Sequence, residues 1–146
     1  MDKIRILCYG DSNTWGTIGK WVESDAPSLR YENRWTQILQ QQLGDGYTVI
    51  EEGLGGRTCI TPHPTNPWKL GENYLTPCLH SHRSLDWVVI MLGTNDLLQG
   101  ASPEAAAARM EVFLQGLGLP PASLLLIAPP PLQPGAWVEE ESLPAA

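Results

Sequence analysis

Three clusters of small polar residues carry most of the chemistry open to this sequence: "GDSNTWG" (residues 10–16), "GLGGRT" (53–58) and "GTND" (93–96). The first offers the hydroxyl of Ser12. The second offers glycines, whose missing side chains let a backbone N–H come close to a substrate. The third offers the carboxamide of Asn95. Acyl transfer by a serine needs a nucleophile, a base, and donors aimed at the oxyanion that forms. The Ser12 amide, a glycine amide and the Asn95 side chain could be those donors; a base is not evident. Plainer readings stand beside these: Ser12 as a helix N-cap, and Asn95 and Asp96 as cap or Asx-turn residues.

The elements around the clusters favour the chemical reading. Four apolar runs, "IRILCYG" (4–10), "YTVIEEG" (47–53), "LDWVVIMLG" (85–93) and "SLLLIAP" (123–129), are each closed by Gly or Pro. Continuous apolar character suits parallel strands covered on both faces. Helical patterns alternate with them. In "NRWTQILQQQLG", Trp35, Ile38, Leu39, Gln42 and Leu43 share one face, with Gly44 as a stop. "SPEAAAARMEVFLQGLG" opens with Ser102 as N-cap and Pro103 at the first helical position, ending at Gly116 or Gly118. A shorter helix over "YLTPCLHSH" is weakened by Pro77. The alternation predicts an α/β fold with a parallel sheet. All three polar clusters then lie at carboxyl ends of strands, the edge where open α/β sheets bind ligands.

Composition narrows the partners. At 146 residues the chain is expected to form a single domain, residues 1–146, with 132–146 as an exposed Pro-rich and acidic loop or tail. A net charge of −7 with only nine Lys and Arg argues against nucleic acid. The longest apolar runs are too short to cross a bilayer, and no signal-peptide pattern is present, so a cytoplasmic location is expected. The three cysteines show no CxxC spacing and suggest neither a disulfide framework nor a zinc site. No metal or organic cofactor is implied, and a homo-oligomer is compatible with the composition.

"GDSNTWG", "EEGLGGRT" and "IMLGTNDL" resemble the first three sequence blocks of the SGNH, or GDSL-type, hydrolases. "RWTQILQQQLG", "YLTPCLHSH" and "LDWVVIMLGTND" extend the likeness to the arylesterase and acyltransferase branch, over roughly residues 4–131. The resemblance implies a flavodoxin-like three-layer sandwich, here lacking the last strand and helix. It matches Ser12 to the nucleophile, and Ser12, Gly56 and Asn95 to the oxyanion hole. Trp15 would line the acyl pocket. Asp11, Arg57 and Asp96 are read as loop support, Arg57 through a salt bridge to a neighbouring acid. The implied reaction is hydrolysis of short-chain or aryl carboxylic esters through an acyl-Ser12 intermediate, with acyl transfer as an extension.

One block is absent. The family's base is a His three residues after an Asp, beyond a fifth strand, and this sequence contains no D-x-x-H. The chain is therefore expected to be a fragment, one piece of a cleaved protein or a relic, completed by a C-terminal segment carrying Asp and His. Of the resident histidines, His63 lies on the correct edge and is read as a solvated loop residue in preference to a base. His80 and His82 are expected at the amino edge, on the order of 25 Å from the site. Glu51 and Glu52, adjacent on a strand, point to opposite faces and cannot flank one bond. The six tryptophans are expected mainly in the core and interfaces. Two other functional readings are a flavodoxin-like module with a flavin phosphate at the first loop, Trp15 and Trp68 stacking on the ring, and a catalytically inactive SGNH fragment.

Overall fold

A computed structural model describes residues 2–18 and 29–133. Trp21, Trp137 and residues 134–146 of the expected tail lie outside the described residues. Four parallel strands form one sheet in the order β2-β1-β3-β4: β1 (Ile4–Gly10), β2 (Tyr47–Gly53), β3 (Trp87–Met91) and β4 (Leu124–Leu126). Gly10 is in register with Gly53 on one side and Met91 on the other. The carboxyl ends of β1, β2 and β3 are therefore level. Chain order reverses about β1, so its loop and that of β3 diverge at a topological switch point.

Alternation along β1 and β3 sorts the core. Leu7, Tyr9, Val88 and Ile90 face α3 (Gly71–Ser81) and α5 (Pro103–Gly116), which contribute Leu75, Cys78, Met110 and Phe113. Ile6, Cys8 and Val89 face α2 (Trp35–Leu43), whose Trp35, Leu39 and Leu43 pack on them. Three layers result. Ser102 caps α5 by accepting from the Ala105 amide, with Pro103 in the first turn. Helix α3 runs continuously through Pro77, whose ring is exposed, and begins three residues earlier than the pattern indicates, at Gly71.

Several expectations need correction. Strand β4 is only three residues long and leaves Leu125 and Leu126 about half exposed, because it pairs with β3 alone among the described residues. In α2, Ile38 and Gln42 point outward and Thr36 is the fully buried residue. No described tryptophan is fully buried: Trp15 and Trp35 are half-buried, and Trp68 and Trp87 are exposed.

Thr36 is buried because its hydroxyl donates to Glu51. Glu51, at the end of β2 on the α2 face, also takes a two-pronged ion pair from Arg34 at 2.6 and 2.5 Å, and a hydrogen bond from Gln37 at 2.8 Å. Burial alone would raise the Glu51 pKa. The donors outweigh it and lower the value to about 2. A carboxylate depressed in the folded state contributes stability above its unfolded pKa of 4.5, and that stability is lost as pH falls toward 2. Glu51→Gln is expected to lower stability at pH 7 by on the order of 1–2 kcal/mol, after discounting for partial solvent screening. The gap from wild type should close between about pH 4.5 and 2, which urea melts across that window would measure.

Candidate active site

Ser12 opens α1 (Ser12–Trp15), a single turn directly beyond β1. Its neighbour Asp11 is the N-cap, accepting from the Asn13 amide at 2.8 Å. Ser12 therefore has no capping duty. Neither its hydroxyl nor its amide is engaged by another described residue. Burial raises the pKa of Asp11 and the hydrogen bonds from Asn13 oppose the rise. Gly16, in the left-handed conformation, ends the turn with its amide on the Ser12 carbonyl at 2.8 Å. Four residues sum to little helix dipole, so any anion here would be met by individual local donors.

The loop after β2 is packed against this turn. A Cβ at Gly53 would stand 2.2 Å from the Trp15 nitrogen, so only glycine lets the Ser12 turn lie on the end of β2. The Leu54 amide then bonds the Gly10 carbonyl at 3.1 Å, and Gly56 turns the chain with φ +74°. Positive φ strains any residue with a Cβ. The Gly56 amide, like that of Ser12, has no backbone partner among the described residues.

Arg57 binds the loops together. It is 2% exposed, and its Nη1 donates to the Gly10 carbonyl at 3.0 Å and to the Glu52 carbonyl. Its guanidinium lies 4.0 Å from the centre of the Tyr9 ring and 5.4 Å from that of Tyr74. The expected salt bridge to an acid is absent among the described residues; carbonyls and aromatic faces hold the charge instead. Burial lowers its pKa from the usual arginine value.

The third cluster forms α4 (Thr94–Leu98). Asn95 donates from Nδ2 to the Arg57 carbonyl at 2.9 Å, which fixes the carboxamide and leaves a second N–H on the same nitrogen. Asn13 makes a long contact to the Thr94 hydroxyl, 3.5 Å, joining the first and third loops. Asp96 is fully buried and accepts from the amides of Cys59, Ile60 and Thr61 at 2.7–2.9 Å and from the Thr61 hydroxyl. These bonds anchor the chain just beyond Arg57. Trp15 presents its ring to the Arg30 guanidinium at 5.1 Å, while its carbonyl accepts from Arg30 Nε.

Of the three histidines, His82 falls differently from expectation. His63 Nδ1 accepts from the Thr65 and Asn66 amides at 3.3 and 3.1 Å. A neutral ring accepting at Nδ1 carries its proton on Nε2, so neither nitrogen is an idle base. His80 is exposed. His82 is not remote from the sheet's carboxyl end: its Nε2 meets Glu52 Oε1 at 2.7 Å, one residue before Gly53. Sequence spacing missed this contact because the side chain reaches back over the sheet from the end of α3. Of the amides in the first loop, that of Asn13 is taken by the Asp11 side chain and would not be open to a flavin phosphate.

Residues 8–146 match the model of the GDSL-like lipase/acylhydrolase family, and the chain belongs to that family. Among solved structures, the native M. smegmatis aryl esterase is similar at 43% identity with a TM-score of 0.76, covering 90% of this chain and 66% of that one. Est24, a carbohydrate acetylesterase from Sinorhizobium meliloti, is similar at 42% identity, TM-score 0.76 and the same coverage. A carbohydrate acetylesterase family member from the same organism shares 33% identity at TM-score 0.73, over 91% of this chain and 66% of that one. The chain thus spans a little under two thirds of the length of these relatives. A search of the curated proteins gave no match. The α/β fold with its parallel sheet is that of the SGNH esterases, as the sequence blocks led us to expect. No described helix is long and apolar enough to cross a membrane.

Proposed function

We propose that this chain carries the nucleophile and oxyanion donors of a serine esterase acting on short-chain or aryl carboxylic esters. The observation that carries the reading is the convergence of an unengaged Ser12 hydroxyl and amide, the Gly56 turn and the fixed Asn95 amide on one sheet edge, joined through Arg57. The aryl esterase and acetylesterase relatives support a small acyl group.

In this mechanism Ser12 Oγ attacks the ester carbonyl carbon as its proton passes to a base. The carbonyl oxygen takes the negative charge and is met by the amides of Ser12 and Gly56 and the free N–H of Asn95. Collapse breaks the bond to the alkoxy oxygen, the base returns its proton to the departing alcohol, and an acyl-Ser12 ester remains. Water, activated by the same base, releases the acid. An alcohol or peroxide in place of water gives acyl transfer when the pocket excludes water. Trp15 lines the acyl side. Asp11, Arg57 and Asp96 hold the loops and touch no reacting atom. Three unpaired thiols suit a reducing compartment, which supports a cytoplasmic location.

The base is the group this chain does not supply, since His63 is committed to its turn. We assign it to a complementary C-terminal segment bearing Asp-x-x-His, docked beside β4. A serine hydroxyl unaided is a weak nucleophile. Residues 1–146 assayed with p-nitrophenyl acetate should turn over poorly and gain at least tenfold when the peptide encoded downstream is added. Full activity without the peptide would place the base inside this chain and make the proposal wrong. In the complemented enzyme, Asn95→Ala should lower kcat by about 10²- to 10³-fold with little change in KM, because an oxyanion donor acts on the transition state. Steady-state kinetics would separate this from a ground-state binding role, which raises KM alone.

A further inference from the structure

Behind the loop of Arg57, on the α3 face of the sheet, Glu52, Cys78 and His82 bring one ligand atom each to a single point. The Glu52 carboxylate oxygen, Cys78 Sγ and His82 ring nitrogen all lie within 4.8 Å of one another. We propose that this is a binding site for one zinc-type divalent cation, independent of the ester chemistry.

The three ligands converge for a structural reason. Cys78 and His82 are four residues apart, and the His82 amide still bonds the Cys78 carbonyl at 3.1 Å, so the helical turn stacks their side chains. Glu52 comes from the neighbouring strand and faces this helix, whereas Glu51 faces the other way. The contrast between the two carboxylates is informative. Glu51 is filled by Arg34, Thr36 and Gln37. Glu52 has no charged partner among the described residues other than His82, at 2.7 Å.

Thiolate, imidazole and carboxylate together form a donor set suited to zinc, with a fourth position left for water. Zinc sits about 2.3 Å from sulfur and about 2.0–2.1 Å from a histidine nitrogen. Ligand atoms around a tetrahedral ion are then roughly 3–4 Å apart, so the cluster must close by only about 1 Å at its widest and open slightly between His82 and Glu52. His82 and Glu52 keep 28% and 20% of their side-chain exposure, which gives the ion a path from solvent, while Cys78 is buried. On binding, the Cys78 thiol releases its proton to water and the sulfur binds as thiolate, and a water molecule fills the remaining position. Two negative ligands then neutralise a dication. The nearby Arg57 guanidinium works against the ion, and affinity should be moderate for that reason. The bound ion would clamp α3 to β2 one residue before Gly53, where the nucleophile turn rests.

The sequence reading of no zinc site rested on CxxC spacing, which cannot register a Cys-x-x-x-His pair on a helix completed by a strand carboxylate. The test is titration of the 146-residue chain with Co²⁺, a spectroscopic substitute for Zn²⁺. A saturable near-UV thiolate-to-cobalt band at one equivalent is expected, displaced by Zn²⁺. Cys78→Ser should abolish the band. His82→Gln should weaken cobalt binding at least tenfold while its amide retains a hydrogen bond to Glu52, so the fold is kept by circular dichroism. Cys59→Ala, whose sulfur contacts Met110 elsewhere in the core, should leave the band intact. Absence of a saturable band in the wild type, or an undiminished band in His82→Gln, overturns the proposal; should Cys78→Ser fail to fold, His82→Gln decides alone.

Discussion

The buried guanidinium of Arg57 is the constraint on which the candidate site depends. One side chain holds the carbonyl ends of β1 and β2, and the backbone carbonyl of the same residue receives Asn95 from beyond β3. Three loops that are far apart in sequence are thereby fixed to a common centre. A buried cation without a carboxylate is costly in general. Here the Tyr9 and Tyr74 rings and two carbonyls stand in for an anion, and attraction to aromatic faces strengthens when water is excluded. A carboxylate in that position would place a fixed negative charge near the amides proposed as oxyanion donors. Aromatic faces hold the arginine without opposing the charge that the proposed reaction would develop.

Around that point the loops are held mainly by backbone groups. Asp96 collects three consecutive amides, Asp11 caps the turn that presents Ser12, and Gly53 removes the one atom that would keep the turn off the sheet. The Ser12 hydroxyl and amide and the Gly56 amide are left without a partner among the described residues, while their neighbours, Asn95 included, are fixed by hydrogen bonds. That division is what a preorganised electrostatic site requires, since donors already in place need no reorganisation when charge appears.

Much of this was legible in the residues. The boundaries of β1 and β2 follow from apolar runs closed by glycine, and the start of α5 from Ser102 and Pro103, because those signals are local. Opposite faces for Glu51 and Glu52 followed from strand geometry alone. The errors share a cause: they concern contacts made across elements. Arg57 finding aromatic rings in place of an acid, Thr36 replacing Ile38 as the buried residue of α2, and His82 reaching Glu52 all depend on how helices sit against the sheet. Asp11 taking the cap from Ser12 is a one-residue shift that changes which side chain is free. Strand β4 was overestimated because its leucines match a buried strand, while its exposure is decided by what lies beside it.

The central claim is that Ser12 is the nucleophile, and covalent labelling tests it most directly. The complemented enzyme should react with a fluorophosphonate to a single adduct by intact mass, mapped by peptide sequencing to Ser12, and the Ser12→Ala variant should remain unmodified. Labelling of Ser12→Ala at the wild-type rate, or an adduct mapped to another residue, would contradict the account.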